Sequence, residues 1–246
     1  MSWIVDVSFA NGVVDWDALK ESGVTAAYIR AGYGTDVKSQ DDVQLERNIS
    51  ECKRLNIPYG LYLYSYADTE KKAESEADHI LRLAKEYKPA LPIYYDLEET
   101  SIICRVNKNI ALVKERVEQA GYKFGVYASL SWWNNIITAN VNHKWVAHWA
   151  KNLGYYKPCD LWQRGTIQID KKVFDFNLTY PNVNKYRVKA RSGLHLRSEP
   201  STEAISIGTL AYNTPVEIEK IENGWAKVTA YVSAKYIDKE VKHGCI

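Results

Sequence analysis

The sequence contains few cysteines and no grouping of them that is typical of a metal site. Its 246 residues include four, Cys52, Cys104, Cys159 and Cys245, and no two of them form a C-x-x-C pair. Zinc sites and redox dithiols usually need such close spacing. We therefore expect four reduced thiols, several of them buried.

The sequence also lacks the features of a membrane or exported protein. It contains no apolar run of the ~18 residues that a transmembrane helix needs. The opening segment "MSWIVDVSFA" carries an acid at Asp6, and it has no basic stretch followed by a long apolar run, as a secretion signal would. We therefore expect a chain made in the cytoplasm without a signal peptide, and no membrane partner.

Motifs for nucleotide, metal and serine-hydrolase chemistry are absent too. The segment "AGYGTD" has two of the three glycines of a dinucleotide-binding loop, and no phosphate-binding loop, H-E-x-x-H or G-x-S-x-G occurs. The five histidines show no ligand spacing. A net charge of +2 is far from the basic excess of nucleic-acid-binding proteins. We expect no cofactor, no metal and no nucleic-acid partner.

Residues 1–178 alternate strand-like segments with helical patterns. Apolar residues recur at helical spacing in three stretches, which begin at Leu45, Ala73 and Val106. The strand-like segments between and after them are "WIVDVS", "TAAYIRAG", "IPYGLYLYSYA", "LPIYYDLE", "YKFGVYAS", "KWVAHWA", "DLWQRG" and "KVFDFN". The alternation predicts a parallel sheet, open or closed into a barrel. The last strands follow one another without helices, which fits an irregular barrel better than a regular eightfold repeat.

The pattern changes after residue 178. Residues 179–185, "TYPNVNK", have the Pro and Asn content of a linker. From residue 186 to residue 246 the segments are short and strand-like, and Asn223-Gly224 between two of them predicts a tight hairpin. We therefore predict a second, small all-β domain over residues 186–246.

Four acids are expected to meet at one end of the barrel. Asp6 ends the first strand, Asp96 and Glu98 end the fourth, and Asp175 ends the last. The carboxyl ends of parallel barrel strands converge on one face, where active sites are built. A single acid there would be an ordinary solvated residue. Four together, two of them at i and i+2 on one strand, favour acid–base chemistry.

Aromatic residues accompany these acids. The side chains expected near the same strand ends are Tyr62, Tyr64, Tyr66, Tyr127, Trp145, Trp149 and Trp162. Each alone would be an ordinary core residue, but around acids they provide the stacking surface that a sugar ring needs. Acids and aromatics without metal ligands or a nucleophilic triad predict glycoside hydrolysis. In that reaction one carboxyl protonates the leaving oxygen, and a second stabilises or attacks the oxocarbenium-like centre.

Residues 1–180 resemble glycoside hydrolase family 25, the muramidases of bacteriophage endolysins and related bacterial lysozymes. The matching segments, in the expected order, are "DVSFANGVVDWDALKESGV", "YIRAGYGT", "NIPYGLYLYSYA", "EADHIL", "LPIYYDLEE", "GYKFGVYAS", "LWQRG" and "FDFN". The resemblance implies an irregular, TIM-like (β/α)5β3 barrel. It also implies cleavage of the β-1,4 bond between N-acetylmuramic acid and N-acetylglucosamine in bacterial peptidoglycan.

The resemblance assigns roles to the acids. Glu98 matches the general acid, Asp96 is its partner in D-x-E, and Asp6 and Asp175 match the acids of the first and last strands. The second catalytic role stays open between Asp96 and Asp175, as nucleophile or as the residue that orients an attacking N-acetyl group. The segment before Asp175 lacks the family's usual glycine-rich turn. The candidate substrate-binding residues are Arg30, Tyr62, Tyr64, Tyr127, Trp149 and Gln163.

Residues 186–241 resemble a bacterial SH3-like domain, through the opening segment "VKARSGLHLRSEPSTEAISIGTL" and the closing strands "GWAKV" and "AYVSAKYI". Such domains hold hydrolases on cell walls, which implies a wall ligand as partner. The expected protein is a phage-type muramidase that reaches peptidoglycan after release at lysis. Two alternatives stay open: another acid-dependent glycosidase such as a chitinase, and a wall-binding protein whose barrel does not catalyse.

Overall fold

The computed structural model describes residues 3–151, 153–155, 157–179 and 184–229. The contacts of the chain divide it into two units, Met1–Tyr155 with Cys159–Asn182, and Tyr156–Pro158 with Val183–Ile246. Within the described ranges, no helix is long and apolar enough to cross a membrane.

The strands of the first unit close into a barrel. They are β1 (Trp3–Val7), β2 (Val24–Tyr33), β3 (Tyr59–Tyr64), β4 (Ile93–Asp96), β5 (Phe124–Ser129), β6 (His143–Ala147), β7 (Leu161–Ile169) and β8 (Lys172–Thr179). Strands β1 to β7 run parallel to one another in chain order, and the barrel closes through β8, which is antiparallel to both β7 and β1. The predicted irregular barrel is confirmed. Its last two strands form a hairpin that turns at Asp170, with φ 52°, and not at a glycine.

In the described residues, five α-helices belong to the first unit. They are α1 (Trp16–Glu21), α2 (Leu45–Arg54), α3 (Glu70–Tyr87), α4 (Val106–Gln119) and α5 (Leu130–Asn135), with short 3-10 helices at Phe9–Asn11, Lys38–Gln40 and Thr100–Arg105. Helices α2, α3 and α4 confirm the predicted apolar spacing. Helices α1 and α5 have no counterpart in the prediction, because six residues span less than two turns and repeat no pattern.

Two apolar layers stabilise the barrel. The outer layer, between strands and helices, contains fully buried side chains such as Val5, Ile29 and Leu61. The inner layer fills the barrel and consists of Ile4, Ala26, Tyr28, Tyr94, Tyr127, Trp145 and Leu161. Strand alternation explains the division, because neighbouring residues on a strand face opposite sides of the sheet.

Two glycines make room for the inner aromatic rings. A Cβ atom at Gly60 would lie 2.3 Å from Cε1 of Tyr28, and one at Gly125 would lie 2.5 Å from Cε1 of Tyr94. The two tyrosine rings meet edge to face, with centroids 5.1 Å apart. The glycines of "PYGLY" and "KFGVY" therefore allow tyrosines to fill the barrel beneath its mouth.

The second unit is built from short antiparallel strands. They are β9 (Asn184–Arg187), β10 (Leu194–Arg197), β11 (Ser206–Leu210), β12 (Pro215–Glu222) and β13 (Trp225–Thr229). Strands β9, β12 and β13 form one sheet, and β10 and β11 form another. The predicted hairpin is confirmed, since Asn223 and Gly224 have φ of 49° and 80°, as a type I′ turn requires.

The segment between the units is shorter than the predicted linker, residues 179–185. Strand β8 continues to Thr179, and β9 begins at Asn184, which pairs with Ile218. Backbone pairing between strands therefore extends into both ends of the predicted linker. Their polar composition does not prevent this, because sheet context overrides local propensity. The predicted closing segment "AYVSAKYI" lies outside the described residues.

The described cysteines agree with the expectation of reduced thiols. Cys52 and Cys159 are buried thiols, and Cys104 is an exposed thiol. Burial raises the pKa of the Cys52 thiol, which makes it inert. Cys245 lies outside the described residues.

Candidate active site

The four predicted acids lie together at the mouth of the barrel. Asp6 on β1 and Asp175 on β8 are paired directly across the two strands. Asp96 is the last residue of β4, and Glu98 follows it by two positions. The charge of Asp175 acts on both Asp6 and Glu98, and the charges of Glu98 and Asp6 act on Asp96. The structure therefore brings all four acids into one cluster.

The prediction that Asp175 reaches this cluster from the end of its strand is wrong. Asp175 lies in the middle of β8 and not at its end, and β8 runs antiparallel to β1. The carboxyl end of β8 therefore points away from the mouth. Asp175 reaches the cluster because the strand register places it opposite Asp6.

Asp6 is held by a hydrogen-bond network inside the barrel. It is 8% exposed, and Asn177 Nδ2 donates to its Oδ2 over 2.6 Å. Gln163 Nε2 donates to the same oxygen over 3.3 Å. Asn177 is fixed in turn by Trp145, whose Nε1 donates to Asn177 Oδ1 over 2.7 Å. Burial and the charge of Asp175 raise the pKa of Asp6 to about 7, although the two amides oppose this increase.

Asp96 and Glu98 form a different arrangement. Asp96 is 4% exposed, whereas Glu98 lies at the surface of the mouth. Their side chains lie close enough for the charge of Glu98 to act on Asp96. Burial, then the charge of Glu98, raises the pKa of Asp96 well above its usual range, and partial desolvation raises the pKa of Glu98 too. No donor from the described chain reaches the buried Oδ1 of Asp96.

Aromatic side chains form the floor and one wall of the site. Tyr62 and Tyr127 meet the Trp145 ring edge to face, with centroids 6.1 and 4.8 Å away. The Tyr127 hydroxyl donates to Gln163 Oε1 over 2.9 Å, and the Trp149 Nε1 donates to the same oxygen over 3.2 Å. Trp149 is 61% exposed, whereas Tyr127 and Gln163 are buried. Trp149 therefore offers an open ring face beside the acids, while the other two support the site from below.

The remaining aromatics divide between the mouth and the core. Trp162 does not belong to the wall, because strand alternation turns it outward into the outer layer, where its Nε1 donates to His148 O over 2.8 Å. Tyr64 is half-buried at the mouth, and its hydroxyl donates to Glu99 Oε1 over 2.8 Å. Tyr66, just beyond β3, is exposed.

Arg30 contributes a positive charge to the site. Its Nε donates to Asp42 Oδ2 over 2.8 Å, and its guanidinium lies 4.5 Å from the centroid of the Phe9 ring. The buried Asp42 also accepts the backbone N–H of Phe9 over 2.9 Å. The charge of Arg30 opposes the increase in the pKa of Asp96. Arg30 thus lies close enough to stabilise negative charge at that carboxyl.

Three functional residues have no counterpart in the sequence prediction. Asn177 follows Asp175 by two positions in "FDFN", so the period of a strand could have placed it on the same face. Asp42 lies in a loop and Phe9 begins a one-turn 3-10 helix, and neither segment has a periodicity that indicates a partner.

A closed β/α barrel with paired carboxyls and open aromatic rings at its mouth defines a glycoside hydrolase. Residues 5–167 match the model of the glycosyl hydrolases family 25. The chain belongs to this family. Residues 192–238 match the bacterial SH3 domain model, so both resemblances predicted from the sequence are confirmed.

Several known proteins are similar to this chain. Lysozyme M1 of Streptomyces globisporus is 26% identical over 166 residues, which are 59% of this chain and 54% of that protein. The modular autolysin LytC of Streptococcus pneumoniae, solved with a synthetic peptidoglycan ligand, is 29% identical with a TM-score of 0.63. That match covers 72% of this chain and 46% of LytC. The chain thus spans about half the length of these two relatives.

The fold also matches a phage enzyme of similar size. The catalytic domain of endolysin ply40, from bacteriophage P40 of Listeria monocytogenes, is 24% identical with a TM-score of 0.63. The match covers 74% of this chain and 94% of that domain, so the barrel of the first unit is the shared part.

Proposed function

We propose that this protein is a peptidoglycan hydrolase, an N-acetylmuramidase that cleaves the β-1,4 bond between N-acetylmuramic acid and N-acetylglucosamine. The observation that carries the proposal is the pairing of buried Asp96 with surface Glu98 in an aromatic-lined barrel mouth. Family membership supports it. So do the name of Lysozyme M1 and the synthetic peptidoglycan ligand in the LytC structure.

Glu98 acts as the general acid in this proposal. Its side chain reaches the surface, where a glycosidic oxygen can approach it. Its raised pKa keeps the carboxyl protonated at a higher pH than an ordinary glutamate allows.

Asp96 acts on the substrate's acetamido group. Its buried Oδ1 receives no donor from the described chain, and a buried acceptor without a partner is costly. The N–H of a 2-acetamido group is a donor that the substrate brings. This hydrogen bond would aim the acetamido oxygen at the anomeric carbon while the leaving oxygen departs. Asp6 and Asp175 supply negative charge close to the oxocarbenium-like centre.

This arrangement predicts that the anomeric configuration is retained. Inverting enzymes separate their carboxyls by ~6.5–9.5 Å to admit a water, whereas retaining enzymes keep them ~5 Å apart. Asp96 and Glu98 stand two residues apart at the end of β4, and the charge of Glu98 acts on Asp96, which favours the shorter separation. NMR early in a digest should show the β-anomer first. Early α-anomer would overturn the role given to Asp96 and leave the cleaved bond unaffected.

The cleaved bond is tested by the new reducing ends. Purified peptidoglycan, digested, reduced with borohydride and hydrolysed, should yield muramitol and no new glucosaminitol. New glucosaminitol would make the protein a glucosaminidase, and new free amino groups would make it an amidase or peptidase. Hydrolysis of chitin with no action on peptidoglycan would favour a chitinase.

We further propose that the protein acts as a phage-type endolysin, made in the host cytoplasm and delivered to the wall at lysis. The endolysins that share its fold motivate this proposal. The SH3-like unit would hold the barrel on the wall and raise its local concentration there.

The anchoring role is tested by truncation. Because β1 to β8 and all four acids precede residue 180, a chain ending at residue 182 should cleave soluble wall fragments as the full chain does. It should lyse intact cells more slowly. A fragment of residues 183–246 that fails to sediment with the walls of every sensitive strain would contradict the anchoring role.

A further inference from the structure

Three tyrosines form an exposed strip beside the acid cluster. Tyr33 is 38% exposed and Tyr66 is 46% exposed, and Tyr64 is half-buried. The ring centroids of Tyr64 and Tyr66 lie 5.1 Å apart, and those of Tyr66 and Tyr33 lie 6.1 Å apart. We call these residues the tyrosine strip. Rings that touch one another at the surface present apolar faces with polar edges, which suits a sugar.

A β-bulge in β2 aims Tyr33 at this strip. Before the bulge Arg30 pairs with Tyr62 of β3, and after the register shift Tyr33 pairs with Tyr64. Three steps along β2 therefore match two along β3, so Tyr33 turns to the inner face that Tyr64 occupies. Without the shift, Tyr33 would follow Ile29 into the outer layer. Bulges that redirect a side chain are common next to active sites.

The residue inside the bulge is restricted to glycine by its surroundings. A Cβ atom at Gly32 would lie 2.4 Å from the carbonyl oxygen of Gln40 and 2.8 Å from Cε1 of His79. The buried His79 ring contacts Gly34 O over 3.0 Å, and Gly34 N donates to Tyr64 O over 2.9 Å. Helix α3 therefore holds the end of β2 in place against the end of β3.

A buried carboxylate on α3 fixes Tyr66. Glu76 is fully buried, and its Oε1 accepts the backbone N–H of Tyr66 over 2.7 Å. Its Oε2 accepts the hydroxyls of Ser65 and Tyr95 over 2.8 and 2.5 Å. Burying a carboxylate is costly unless it is well hydrogen-bonded. Here the bonds converge on the segment that carries an exposed ring, which holds that ring in one position.

The strip is continuous with the acid cluster. Tyr64 pairs with Asp96 across β3 and β4, and Ser65 N donates to Asp96 O over 3.0 Å. The surface thus runs from the acids along the strand ends toward β2. The negative charge of the cluster disfavours an anionic partner along this path and favours a neutral one.

We propose that the tyrosine strip is an additional subsite that binds an N-acetylhexosamine residue of the glycan strand, beyond the two sugars whose bond is cut. The inference rests on the proposed function. A glycan strand is linear, so seating one linkage at the acids lays its neighbouring sugars along the adjoining surface. The rings of Tyr33 and Tyr66 stack against the apolar face of such a sugar.

The test measures how kcat/KM depends on chain length. Peptide-free glycan oligomers of increasing length are digested by the wild type, Tyr33→Ala and Tyr66→Ala. The wild type should gain kcat/KM once the oligomer reaches the strip. The alanine variants should lose about three- to tenfold of that gain, mostly in KM. Tyr66→Phe keeps the ring and should restore the gain.

A matched control removes a tyrosine at the opposite end of β3. Tyr87 ends α3, and its carbonyl oxygen accepts the hydroxyl of Tyr59, the first residue of β3. Tyr87→Ala should show the wild-type dependence on length. Melting temperatures of all variants identify any that fails to fold, and Tyr33→Ala and Tyr66→Ala test the strip independently.

Two failures are distinguishable. A wild type that gains with length, together with alanine variants that gain equally, would overturn the subsite and leave the proposed function standing. A wild type that releases no muramic-acid reducing ends would overturn the proposed function, and the subsite with it.

Discussion

Asp6 and Asp96 stand in one acid cluster and are about equally buried, yet their surroundings differ. Asp6 accepts hydrogen bonds from two amides, Asn177 and Gln163. Asp96 has no donor from the described chain on Oδ1 and lies within reach of the charge of Glu98. Burial is the first cause of the raised pKa of both carboxyls. One acid is therefore fixed by the protein, and the other is left to partners that change during a reaction.

This difference teaches which acids carry the chemistry. A carboxyl whose hydrogen bonds are already made supplies charge and position, because a new partner would have to displace an old one. A carboxyl with an open oxygen can take up a substrate donor, and a protonated carboxyl beside it can pass a proton on. The β4 side of the mouth is thus the reactive side, and the β1–β8 side is its electrostatic support.

The largest expected effect is that of Glu98→Gln on the reactive side. The amide keeps the shape and cannot donate the proton, so kcat should fall by ~10²–10⁴ while the fold persists. In the wild type, kcat should fall as pH rises through the raised pKa of Glu98, whereas the residual rate of the variant should lack that limb. Turbidity of Gram-positive walls against pH measures both. Near-wild-type lysis by the variant would contradict the assignment of Glu98 as the general acid.

The next effect concerns the free energy of unfolding, which depends on pH through the carboxyl of Asp6. Its pKa is raised from 3.8 to about 7, so between these values the folded protein holds a proton that the unfolded chain has released. Stability from this group is complete below about pH 4 and is lost as pH rises through about 7. Since one pKa unit corresponds to ~1.4 kcal/mol, the loss is on the order of 4 kcal/mol.

Asp6→Asn should remove this pH dependence, because the amide carries no charge to desolvate. Urea unfolding at several pH values should show the variant gaining on the wild type as pH rises. Asp170→Asn, in the β7–β8 turn, is the surface control and should keep the wild-type slope. Equal slopes for Asp6→Asn and the wild type would contradict the burial of a charge at Asp6.

A smaller loss of activity is expected from Asp96→Asn. The amide can still accept a hydrogen bond, but it carries no negative charge and therefore attracts the acetamido N–H less strongly. Misplacing the attacking group should lower kcat by about 10². The change should be in kcat rather than KM, measured on soluble wall fragments. A pure KM effect would show that Asp96 binds the substrate without aligning it.

The fold was predictable where patterns repeat. Strands rich in Val, Ile and Tyr and the three longer helices carry enough turns or alternations to be recognised. Strand β11, "SIGTL", was not predicted, because its two large apolar residues, Ile207 and Leu210, are three positions apart and do not alternate. Composition also does not encode strand direction, so the antiparallel route of Asp175 could not be read from "KVFDFN".

In the site, the acidic side chains were predictable from the sequence. Asp6, Asp96 and Glu98 follow from acids at strand ends, a position that sequence does show. Asp42 acts through Arg30, 12 residues away in sequence, and no local pattern indicates that contact. The period of β8 places Asn177 on the face of Asp175, but it does not show that Asn177 donates to Asp6. The bulge that aims Tyr33 is likewise a matter of pairing between two strands.

The smallest expected effect tests the supporting side through Asn177→Ala. The change removes the 2.6 Å donor to Asp6 and the acceptor of the Trp145 indole, and it leaves both groups buried. The free energy of unfolding should fall by about 1–3 kcal/mol. Because the Asn177 amide lowers the pKa of Asp6, it stabilises the charged form more than the neutral one. The loss should therefore be larger above pH ~7 than near pH ~4.

Asn135→Ala, which removes an exposed amide bonded to Ser131 O, is the matched control and should cost less at either pH. A loss from Asn177→Ala that is the same at both pH values would mean that Asn177 serves the Trp145 floor alone, and the contrast between a fixed Asp6 and an open Asp96 would then fail.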